Sequence, residues 1–302
     1  MKFVVKSPAT TANLGPGFDC LGLALQVWNE LEVSTTGDSL QIEIEGECQN
    51  ILPKNERNPI YQAMQAAAKQ LGKVLPQGVD IISRNRIPLG SGMGSSSAAI
   101  VSGIFAAYRL LGAPLDKEAI FNLAASIEGH PDNVAPCIFG GLTTSMTEGS
   151  KFITRSLPIT PLTLLVVTPD FAFPTSKSRA ALPHEVPHKD AVYNLGHALL
   201  LIEAFKNGDL DLLSVAMKDK LHQPYRLPLI PGAQEVLEAA QTAGAVASAI
   251  SGAGSSLLAI LRSQSDADEV GNAMQSEFSK CGISSRVFAP QIDFAGTTLL
   301  EL

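Results

Sequence analysis

The chain has 302 residues, which is enough for two domains with buried cores and excludes a small scaffold held together by disulfides. Hydrophobic residues make up 45% and charged residues 17% of the chain, a globular balance that excludes a disordered or fibrous protein. The formal net charge of −7 repels phosphate backbones, so we expect no nucleic-acid partner and expect any phosphate ligand to be held locally.

The sequence predicts neither a membrane span nor an export signal. Two long uncharged stretches, 87–108 and 239–261, contain Gly and Ser in their middles and so lack a continuous apolar band of roughly 20 residues. At the N-terminus, only Phe3-Val4-Val5 lies between Lys2 and Lys6, which is too short for the apolar region of a signal peptide. We expect a cytoplasmic protein whose four scattered cysteines are reduced thiols.

Hydrophobic spacing and turn residues predict a mixed order of strands and helices, which indicates an α+β fold rather than repeated βαβ units. In chain order the predictions are a strand over 1–5, a long loop over 7–17, strands over 28–34 and 40–45, a helix over 59–71, a strand over 79–83, a loop over 88–97 followed by a helix, a helix over 117–125, a strand over 162–167, and helices over 192–205, 210–217 and 233–243. The proline-bounded segment 158–161 predicts a boundary between two domains, 1–157 and 158–302.

The segment PLGSGMGSSSA, residues 88–98, predicts a phosphate cradle. Its glycines let backbone N–H groups converge on an anion, and the start of the following helix adds unpaired donors. Its serine hydroxyls suit phosphate oxygens or Mg²⁺. The segment lacks the lysine of a P-loop, and Ser95 and Ser97 stand where a dinucleotide fingerprint needs glycine. A flexible linker is the alternative, but linkers are rarely bounded by proline and an immediate apolar helix.

Three ordered motifs in the chain resemble those of one kinase family. Residues 88–98 resemble the central motif PxxxGLGSSxA of the GHMP kinases, named for galactokinase, homoserine kinase, mevalonate kinase and phosphomevalonate kinase. SPATTANLGPGFD at 7–19 resembles the first motif of the homoserine kinase branch, and ISGAGSS at 250–256 resembles the third family motif. EGHPDNVAP at 128–136 is likewise similar to homoserine kinases.

The resemblance implies an N-terminal ATP-binding domain, 1–157, similar to ribosomal protein S5 domain 2, and a ferredoxin-like C-terminal domain, 158–302. It also implies that MgATP phosphorylates the hydroxyl of L-homoserine to O-phosphohomoserine in threonine biosynthesis, by a chain that forms a homodimer. Another small-alcohol kinase of the family, such as a mevalonate kinase, is one alternative. A sensor of the same fold that binds ATP or a metabolite without turnover is the other.

The resemblance also assigns residues to ATP and its metal. Ser96 would bind Mg²⁺, and Glu128 is the acid that would substitute at the family's metal-binding position, where this chain has Asn122. For Glu128 a structural pairing is the alternative, and for Asn58 the alternative is a helix start. The residues implied in binding ATP are Asn58, Pro88, Gly90, Ser91, Gly92, Met93, Gly94, Ser95, Ser96 and Ser97.

Homoserine carries a carboxylate, an ammonium group and a reacting hydroxyl, and the resemblance assigns different side chains to each. Arginine matches carboxylate geometry, which suits Arg179 and Arg226, whereas Asp19 would accept from the ammonium group unless it caps a turn. Thr175 would contact substrate or phosphate unless it is a helix N-cap. The substrate-binding set is Asn13, Asp19, His130, Arg179, Arg226 and Gly252, and the catalytic set is Asn13, Asp19, His130, Asn133 and Thr175.

The resemblance predicts a reaction without a strong general base. Asn133 stands where mevalonate-type members carry the aspartate regarded as the base. Phosphoryl transfer passes through a loose transition state, so positioning and charge stabilisation can supply most of the rate.

Overall fold

The structure, a computed structural model, describes residues 1–35, 37–171 and 173–302. Within these residues the strands are β1 (Lys2–Ala12), β2 (Leu21–Ser34), β3 (Gln41–Gly46), β4 (Asp80–Asn85), β5 (Leu142–Glu148), β6 (Lys151–Leu157), β7 (Thr163–Pro169), β8 (Ala247–Ile250), β9 (Leu257–Leu261), β10 (Ser285–Phe288) and β11 (Thr298–Glu301). The α-helices are α1 (Pro59–Gln70), α2 (Ser95–Leu110), α3 (Lys117–Glu128), α4 (Val134–Phe139), α5 (Thr175–Ala180), α6 (His188–Asn207), α7 (Leu210–Ala216), α8 (Gln223–Arg226), α9 (Ala233–Thr242) and α10 (Ala267–Lys280).

The strands of the described residues form two sheets. The larger sheet has the order β11-β1-β2-β4-β3, and the β5–β6 hairpin joins it through β2. Its pairs are antiparallel except β3 with β4, which run parallel. Helices α1 to α4 pack with one another, and α2 and α4 pack on β1 and β2, so the phosphate-loop segment before α2 lies at the edge of a well-buried layer.

The smaller sheet has the order β10-β7-β9-β8 and is antiparallel throughout. The elements that build it follow in the order β7, α9, β8, β9, α10, β10, which is the βαββαβ arrangement of a ferredoxin-like fold. Helices α5 to α8 are inserted between β7 and α9. The prediction of an α+β chain with a ferredoxin-like second unit is confirmed.

Both faces of the smaller sheet are buried, and β7 illustrates why. Leu164 and Val166 belong to the large core shared with the first sheet, whereas Leu165 and Val167 belong to a second core under α9 and α10. Because successive side chains of a strand point to opposite faces, a strand between two cores must be apolar at every position. The uninterrupted apolar run of β7 meets this requirement.

The predicted loop over 7–17 is wrong in its first half, because β1 continues to Ala12. This part of the strand pairs with β2 although it is rich in hydroxyl side chains. Thr10 and Thr11 are buried, and the Thr10 hydroxyl donates to Asn133 Oδ1 at 2.8 Å. Small polar side chains are indistinguishable from turn residues in the sequence, but here tertiary hydrogen bonds satisfy them inside a strand.

The last residues of the chain return to the first sheet, although the predicted domain 158–302 includes them. β11 pairs with β1, and Ile292 bridges Leu25 on β2. The Trp28 indole N–H also donates to Asp293 at 2.8 Å. A strand of four residues, such as β11, gives no signal of so distant a pairing in the sequence. The domain boundary between residues 157 and 158 stays a prediction.

Each remaining predicted element overlaps an observed one, although β2 begins seven residues before the predicted strand. The predictions contain no element at β5, β6, α4, α5, α8 or the 14-residue helix α10. Cys20, Cys48, Cys137 and Cys281 are free thiols, as expected. Across the described ranges, each helix is too short or too polar to cross a membrane.

Gly103 lets α1 and α2 approach closely. A Cβ atom at this position would meet the backbone oxygen of Ile60 and, at 3.0 Å, the Cβ of Ala63. We expect Gly103→Ala to lower the free energy of unfolding by about 1–3 kcal/mol, because backbone on α1 cannot move aside cheaply. Urea titration measures the change. Ser276→Ala on the exposed face of α10 is the control, and equal stability of the two variants would contradict the tight helix contact.

Candidate active site

A cleft opens between the segment before α2 and loops from both halves of the chain. Its lining brings together residues that are far apart in sequence, from the turn after β1 to the loop after β8. The lining residues are Asn13, Asp19, Gly90, Ser91, Gly92, Gly94, Ser95, Ser96, Glu128, His130, Asp132, Asn133, Thr175, Arg179, Arg226 and Ala253.

Two positions in the loop before α2 require glycine because neighbouring atoms leave no room for a Cβ atom. A Cβ at Gly92 would collide with the carbonyl oxygen of Ser251, and a Cβ at Gly94 would collide with the Thr10 hydroxyl. Both glycines also have φ in the left-handed region, at 84° and 72°. Gly94 is the N-cap of α2 and supplies no side-chain acceptor, so the first N–H groups of this 16-residue helix are left for an anion in the cleft.

The loop between β8 and β9 holds this glycine loop in shape. The Ser251 hydroxyl donates to the Gly92 carbonyl oxygen at 2.8 Å, and the Ser256 N–H donates to the Ser91 carbonyl oxygen at 2.7 Å. The N–H of Gly252 donates at 3.0 Å to the carbonyl oxygen at the end of β1. The third motif therefore ties the first and second motifs together.

Glu128, the last residue of α3, faces the start of α2. Its Oε2 accepts from the Ser96 hydroxyl at 2.8 Å and its Oε1 from the Ser97 hydroxyl at 3.1 Å. Hydroxyl and carboxylate oxygens are the hard ligands that Mg²⁺ prefers. Within the described ranges, no cluster of three or more His, Cys, Asp and Glu side chains forms a metal site. Ser96 and Glu128 therefore fit a metal that takes most of its ligands from phosphate and water.

His130 lies between two carboxylates. Its Nδ1 is 2.7 Å from Oδ1 of the buried Asp132, and its Nε2 is 4.0 Å from Glu128 Oε1. Burial opposes protonation of the ring, but the hydrogen bond to Asp132 and the charges of Asp132 and Glu128 outweigh burial and raise the pKa of His130. The carboxylates thus fix the ring orientation and favour its cationic form beside the cleft.

The turn after β1 presents Asn13 and Asp19 to the cleft. Asn13 adopts a left-handed conformation with φ of 69°, and its Nδ2 donates to the Gly252 carbonyl oxygen at 2.6 Å. Its Oδ1 accepts the N–H of Asp19 at 2.9 Å. The Asp19 carboxylate accepts two parallel bonds from the Arg179 guanidinium, at 2.8 and 2.9 Å. The predicted ammonium ligand and one predicted carboxylate ligand are therefore paired with each other.

Arg226, at the end of α8, is a buried cation without a carboxylate partner among the ion pairs of the described residues. Its side chain lines the cleft although the residue is only 1% exposed. Its Nη1 is 3.3 Å from the Gly252 carbonyl oxygen, and its guanidinium lies 5.0 Å from the centre of the Phe18 ring. Its Nε has no hydrogen-bond partner in the part of the chain that the structure describes. Burial lowers the pKa of Arg226 to about 10, so the side chain is still charged at neutral pH.

His222 holds the Arg226 guanidinium in position. Its Nε2 is 2.8 Å from the Gly15 carbonyl oxygen, which only accepts, so Nε2 carries the proton. Its Nδ1 then accepts from Arg226 Nη1 at 3.3 Å. Burial lowers the pKa of His222, in agreement with a neutral ring. Asp219 holds this loop by accepting the backbone N–H groups of residues 221–223 and an amide N–H of Asn194.

Comparisons with known proteins agree with this arrangement of motifs. The GHMP kinases N terminal domain matches residues 58–141, and the GHMP kinases C terminal domain matches residues 201–280. A homoserine kinase of Moorella thermoacetica is 44% identical over 285 residues, which cover 94% of this chain and 95% of that protein. The chain belongs to the GHMP kinase family.

Other members of the GHMP kinase family match the chain over nearly its full length. The homoserine kinase of Deinococcus radiodurans is 42% identical over 300 residues, which cover 98% of this chain and 96% of that protein. The crystal structure of homoserine kinase from Cytophaga hutchinsonii has a TM-score of 0.89 and 31% identity, and covers 99% of this chain and 97% of that one. The two-domain fold that the resemblance implied is confirmed.

Most site residues predicted for this GHMP kinase line the cleft, although their roles in binding and catalysis stay predictions. Thr175 lines it and is the first residue of α5, whose N-cap is Pro174, so Thr175 is not an N-cap. Asn133 also lines it, and its Oδ1 accepts from the Thr10 hydroxyl. The lining residues that were predicted are Asn13, Asp19, Gly90, Ser91, Gly92, Gly94, Ser95, Ser96, Glu128, His130, Asn133, Thr175, Arg179 and Arg226.

Five predicted residues do not line the cleft. Two of them contact residues that line the cleft: the Ser97 hydroxyl donates to Glu128, and the Gly252 carbonyl oxygen accepts from Asn13. The remaining three have structural contacts: Pro88 accepts from the Ser91 hydroxyl, Met93 is buried under the loop with its carbonyl oxygen bonded to the Thr10 N–H, and Asn58 caps α1 by accepting the Ile60 N–H at 2.9 Å.

Sequence reasoning missed Asp132, Ala253 and the supporting His222. Asp132 follows His130 by two residues in the EGHPDN segment, and this proximity to the predicted histidine is a signal that the sequence contains. His222 precedes Arg226 by four residues, which is one helical turn. Its contact with Gly15 has no sequence signal, because the two residues meet only after the chain has folded.

Two buried charges near the cleft should respond oppositely to neutral substitutions. We expect Arg226→Met to leave Tm unchanged or to raise it, because the arginine charge is buried without an anionic partner. We expect Asp219→Asn to cost about 1.5–3 kcal/mol, because an amide N–H₂ would face backbone N–H groups that the carboxylate now accepts. Thermal unfolding of both variants measures the contrast, and a large loss of stability in Arg226→Met would contradict it.

Proposed function

We propose that the chain is a homoserine kinase that transfers the γ-phosphoryl group of ATP to the hydroxyl of L-homoserine. The product is O-phosphohomoserine, an intermediate of threonine biosynthesis, and we expect the reaction to occur in the cytoplasm. The observation that supports this proposal most strongly is the buried Arg226, whose Nε lacks a partner beside a loop built for phosphate. A substrate carboxylate would supply the missing anion.

Backbone N–H groups would supply the hydrogen bonds to phosphate in the cleft. The N–H groups of the loop and of the first turn of α2 are donors for the phosphates of ATP, and the glycines keep side chains out of their way. Ser96 and Glu128 would hold Mg²⁺ together with phosphate oxygens and water. Such a metal, when bound, neutralises charge that develops on the phosphates.

The amino-acid side of the cleft suits a zwitterion. Arg226 would bind the carboxylate through the part of its side chain that lines the cleft, with Arg179 as a second cation nearby. Each oxygen of the Asp19 carboxylate already accepts one bond from Arg179, and each has a further lone pair for an ammonium group. The pairing with Arg179 would therefore orient Asp19 rather than exclude it from binding.

The reacting hydroxyl would be oriented by polar side chains between the two halves of the site. Asn13, His130 and Thr175 line this region, and Asn133 is engaged with Thr10. No carboxylate takes the place of a base at Asn133. The proposed chemistry is therefore direct in-line transfer that depends on positioning and on stabilisation of phosphate charge.

We expect Arg179→Ala, Arg226→Met and Asp19→Asn each to lower kcat/KM for homoserine by about 10- to 150-fold, because each loses hydrogen bonds to a charged group worth roughly 1.5–3 kcal/mol. The KM for ATP should barely move. Coupled measurement of ADP release across a panel of homoserine and mevalonate gives these values. In the parent, Asp19 should disfavour mevalonate, which has a carboxylate but no ammonium group.

The same panel separates the alternatives. A parent that prefers mevalonate would reject the homoserine assignment in favour of another small-alcohol kinase. A parent that binds ATP and homoserine in calorimetry but releases no ADP would be a sensor. Asp19→Asn should narrow the gap between the two substrates, whereas the arginine variants should be poor with both carboxylates.

We expect Ser96→Ala and Glu128→Gln each to raise the Mg²⁺ concentration needed for half-maximal rate, because each removes a hard oxygen ligand. ATP binding should change less, since the backbone donors of the loop remain. Asn122→Ala is the matched control: Asn122 is exposed and bonds to Glu118 and Phe152, not to the cleft residues. If the metal titration of Glu128→Gln is unchanged, Glu128 does not bind the metal and its role is to orient Ser96 and Ser97.

A further inference from the structure

Thr10, near the end of β1, is buried between the glycine loop and Asn133. Its N–H donates to the Met93 carbonyl oxygen at 3.0 Å, and its hydroxyl oxygen occupies the space that a Cβ atom at Gly94 would need. Its hydroxyl donates to Asn133 Oδ1 at 2.8 Å. Thr10 does not line the cleft, but it connects the phosphate loop with a residue that does.

The hydrogen bond from Thr10 fixes the orientation of the Asn133 amide. If the amide were turned round, its N–H₂ group would donate to the Thr10 hydroxyl oxygen, and the buried hydroxyl proton would lose its acceptor. Nδ2 of Asn133 makes no hydrogen bond to another described residue, and it is not among their buried polar atoms that lack a partner. Because Asn133 lines the cleft, its N–H₂ group faces the cleft.

Asn133 is also the N-cap residue of α4, yet its side chain does not cap the helix. An asparagine in this position usually accepts an N–H of the first helical turn through Oδ1. Here Oδ1 is engaged with Thr10 instead, and the side chain makes no cap hydrogen bond. The amide is therefore held for the cleft and not for the helix.

An amide held in this way can donate to the reacting groups but cannot act as a base. In the proposed transfer a bond forms between the substrate hydroxyl oxygen and the γ-phosphorus, the bond from that phosphorus to ADP breaks, and the hydroxyl proton leaves to an oxygen of the transferred phosphate. An N–H₂ group cannot accept that proton, but it can donate to a phosphoryl oxygen on which charge is spread. A carboxylate in its place would bring a negative charge toward the same oxygens.

We propose that Thr10 is a positioning residue, which turns the Asn133 N–H₂ group toward the transferring phosphoryl group and makes Asn133 a hydrogen-bond donor to it. This inference rests on the proposed kinase activity. It assigns to a buried threonine outside the cleft the choice between donor and acceptor at the place where a general base would stand. Because the contact is with the group in transfer, its loss should lower kcat and leave the KM values for homoserine and ATP nearly unchanged.

The first test removes the Thr10 hydroxyl while keeping the side-chain shape. We expect Thr10→Val to lower kcat by about 5- to 30-fold, because the amide is free to turn round, with both KM values within about twofold of the parent. Thr10→Ser keeps the hydroxyl and should stay close to the parent. Thr143→Val is the matched control, because Thr143 on β5 is a buried threonine whose hydroxyl donates to the Gly22 carbonyl oxygen.

Tm is measured for each of these variants. Thr143→Val should lose stability as Thr10→Val does but keep the parental kcat. Equal kcat values for the two valine variants would overturn the positioning role of Thr10. If Thr10→Val does not fold, Thr10→Ser and the variants of Asn133 decide the question.

The second test separates a donor from a base by pH dependence. In Asn133→Asp a carboxyl group regains an O–H donor only when it is protonated, so a donor role predicts that kcat rises as pH falls, whereas a base role predicts the reverse. Asn133→Ala is the reference, and the ratio of the two kcat values cancels the titration of His130, which both variants retain. Between about pH 8 and about pH 5.5 this ratio should increase toward acid. A ratio that is constant or that rises with pH would overturn the proposal.

A measurement without turnover keeps this inference apart from the proposed function. In a ¹H–¹⁵N spectrum of the full chain, the side-chain N–H₂ signals of Asn133 are identified by their loss in Asn133→Asp. Adding Mg²⁺ and a non-hydrolysable ATP analogue should shift these signals in the parent, and less so in Thr10→Val. A shift in a parent that does not phosphorylate homoserine would reject the proposed function but retain the orientation of the amide. Signals that do not move at saturation would overturn the inference even in an active enzyme.

Discussion

The site is organised around a positive charge that is buried without a direct ion pair among the described residues. Arg226 is held by a carbonyl oxygen, an imidazole nitrogen and an aromatic face, none of which carries a negative charge. Burying an unpaired cation is costly, so the surrounding structure must hold it in place. The hydrogen bonds of Asp219, the neutral tautomer of His222 and the turn after β1 all serve that purpose, and they leave Nε without a hydrogen-bond partner among the described residues.

Close backbone contact joins the two halves of the cleft. The loop after β8 bonds directly to the glycine loop and to the end of β1, so the phosphate side and the amino-acid side form one hydrogen-bonded unit. Gly92 and Gly94 permit this contact because any side chain would strike the neighbouring loop or Thr10. The same glycines that expose N–H groups to phosphate are therefore also points of close contact, Gly92 with the loop after β8 and Gly94 with Thr10 on β1.

The electrostatics of the cleft differ from side to side. Glu128 and Asp132 flank His130 and raise its pKa, whereas Arg179 and Arg226 bring positive charge to the same cleft and Arg179 is paired with Asp19. Such an arrangement keeps anionic and cationic groups of a small zwitterion apart and in order. It also explains how a chain with a net charge of −7 can attract phosphate, since the donors are local backbone groups and not a basic surface.

Local pattern was sufficient for the glycine loop, for the helices α1 to α3, α6, α7 and α9, and for the strands β1 to β4 and β7, because helix periodicity and turn chemistry act over a few neighbours. Most cleft residues were identified through the resemblance to the motifs of the GHMP kinases. Long-range contacts decided the rest. The strand character of Ser7 to Ala12 depends on hydroxyls that bond across the core, β11 depends on pairing with a strand at the other end of the chain, and the Asp19–Arg179 pair joins residues 160 positions apart. Burial and distance decide which charges are paired and which is left for a ligand. Both are properties of the folded chain and cannot be read from the sequence.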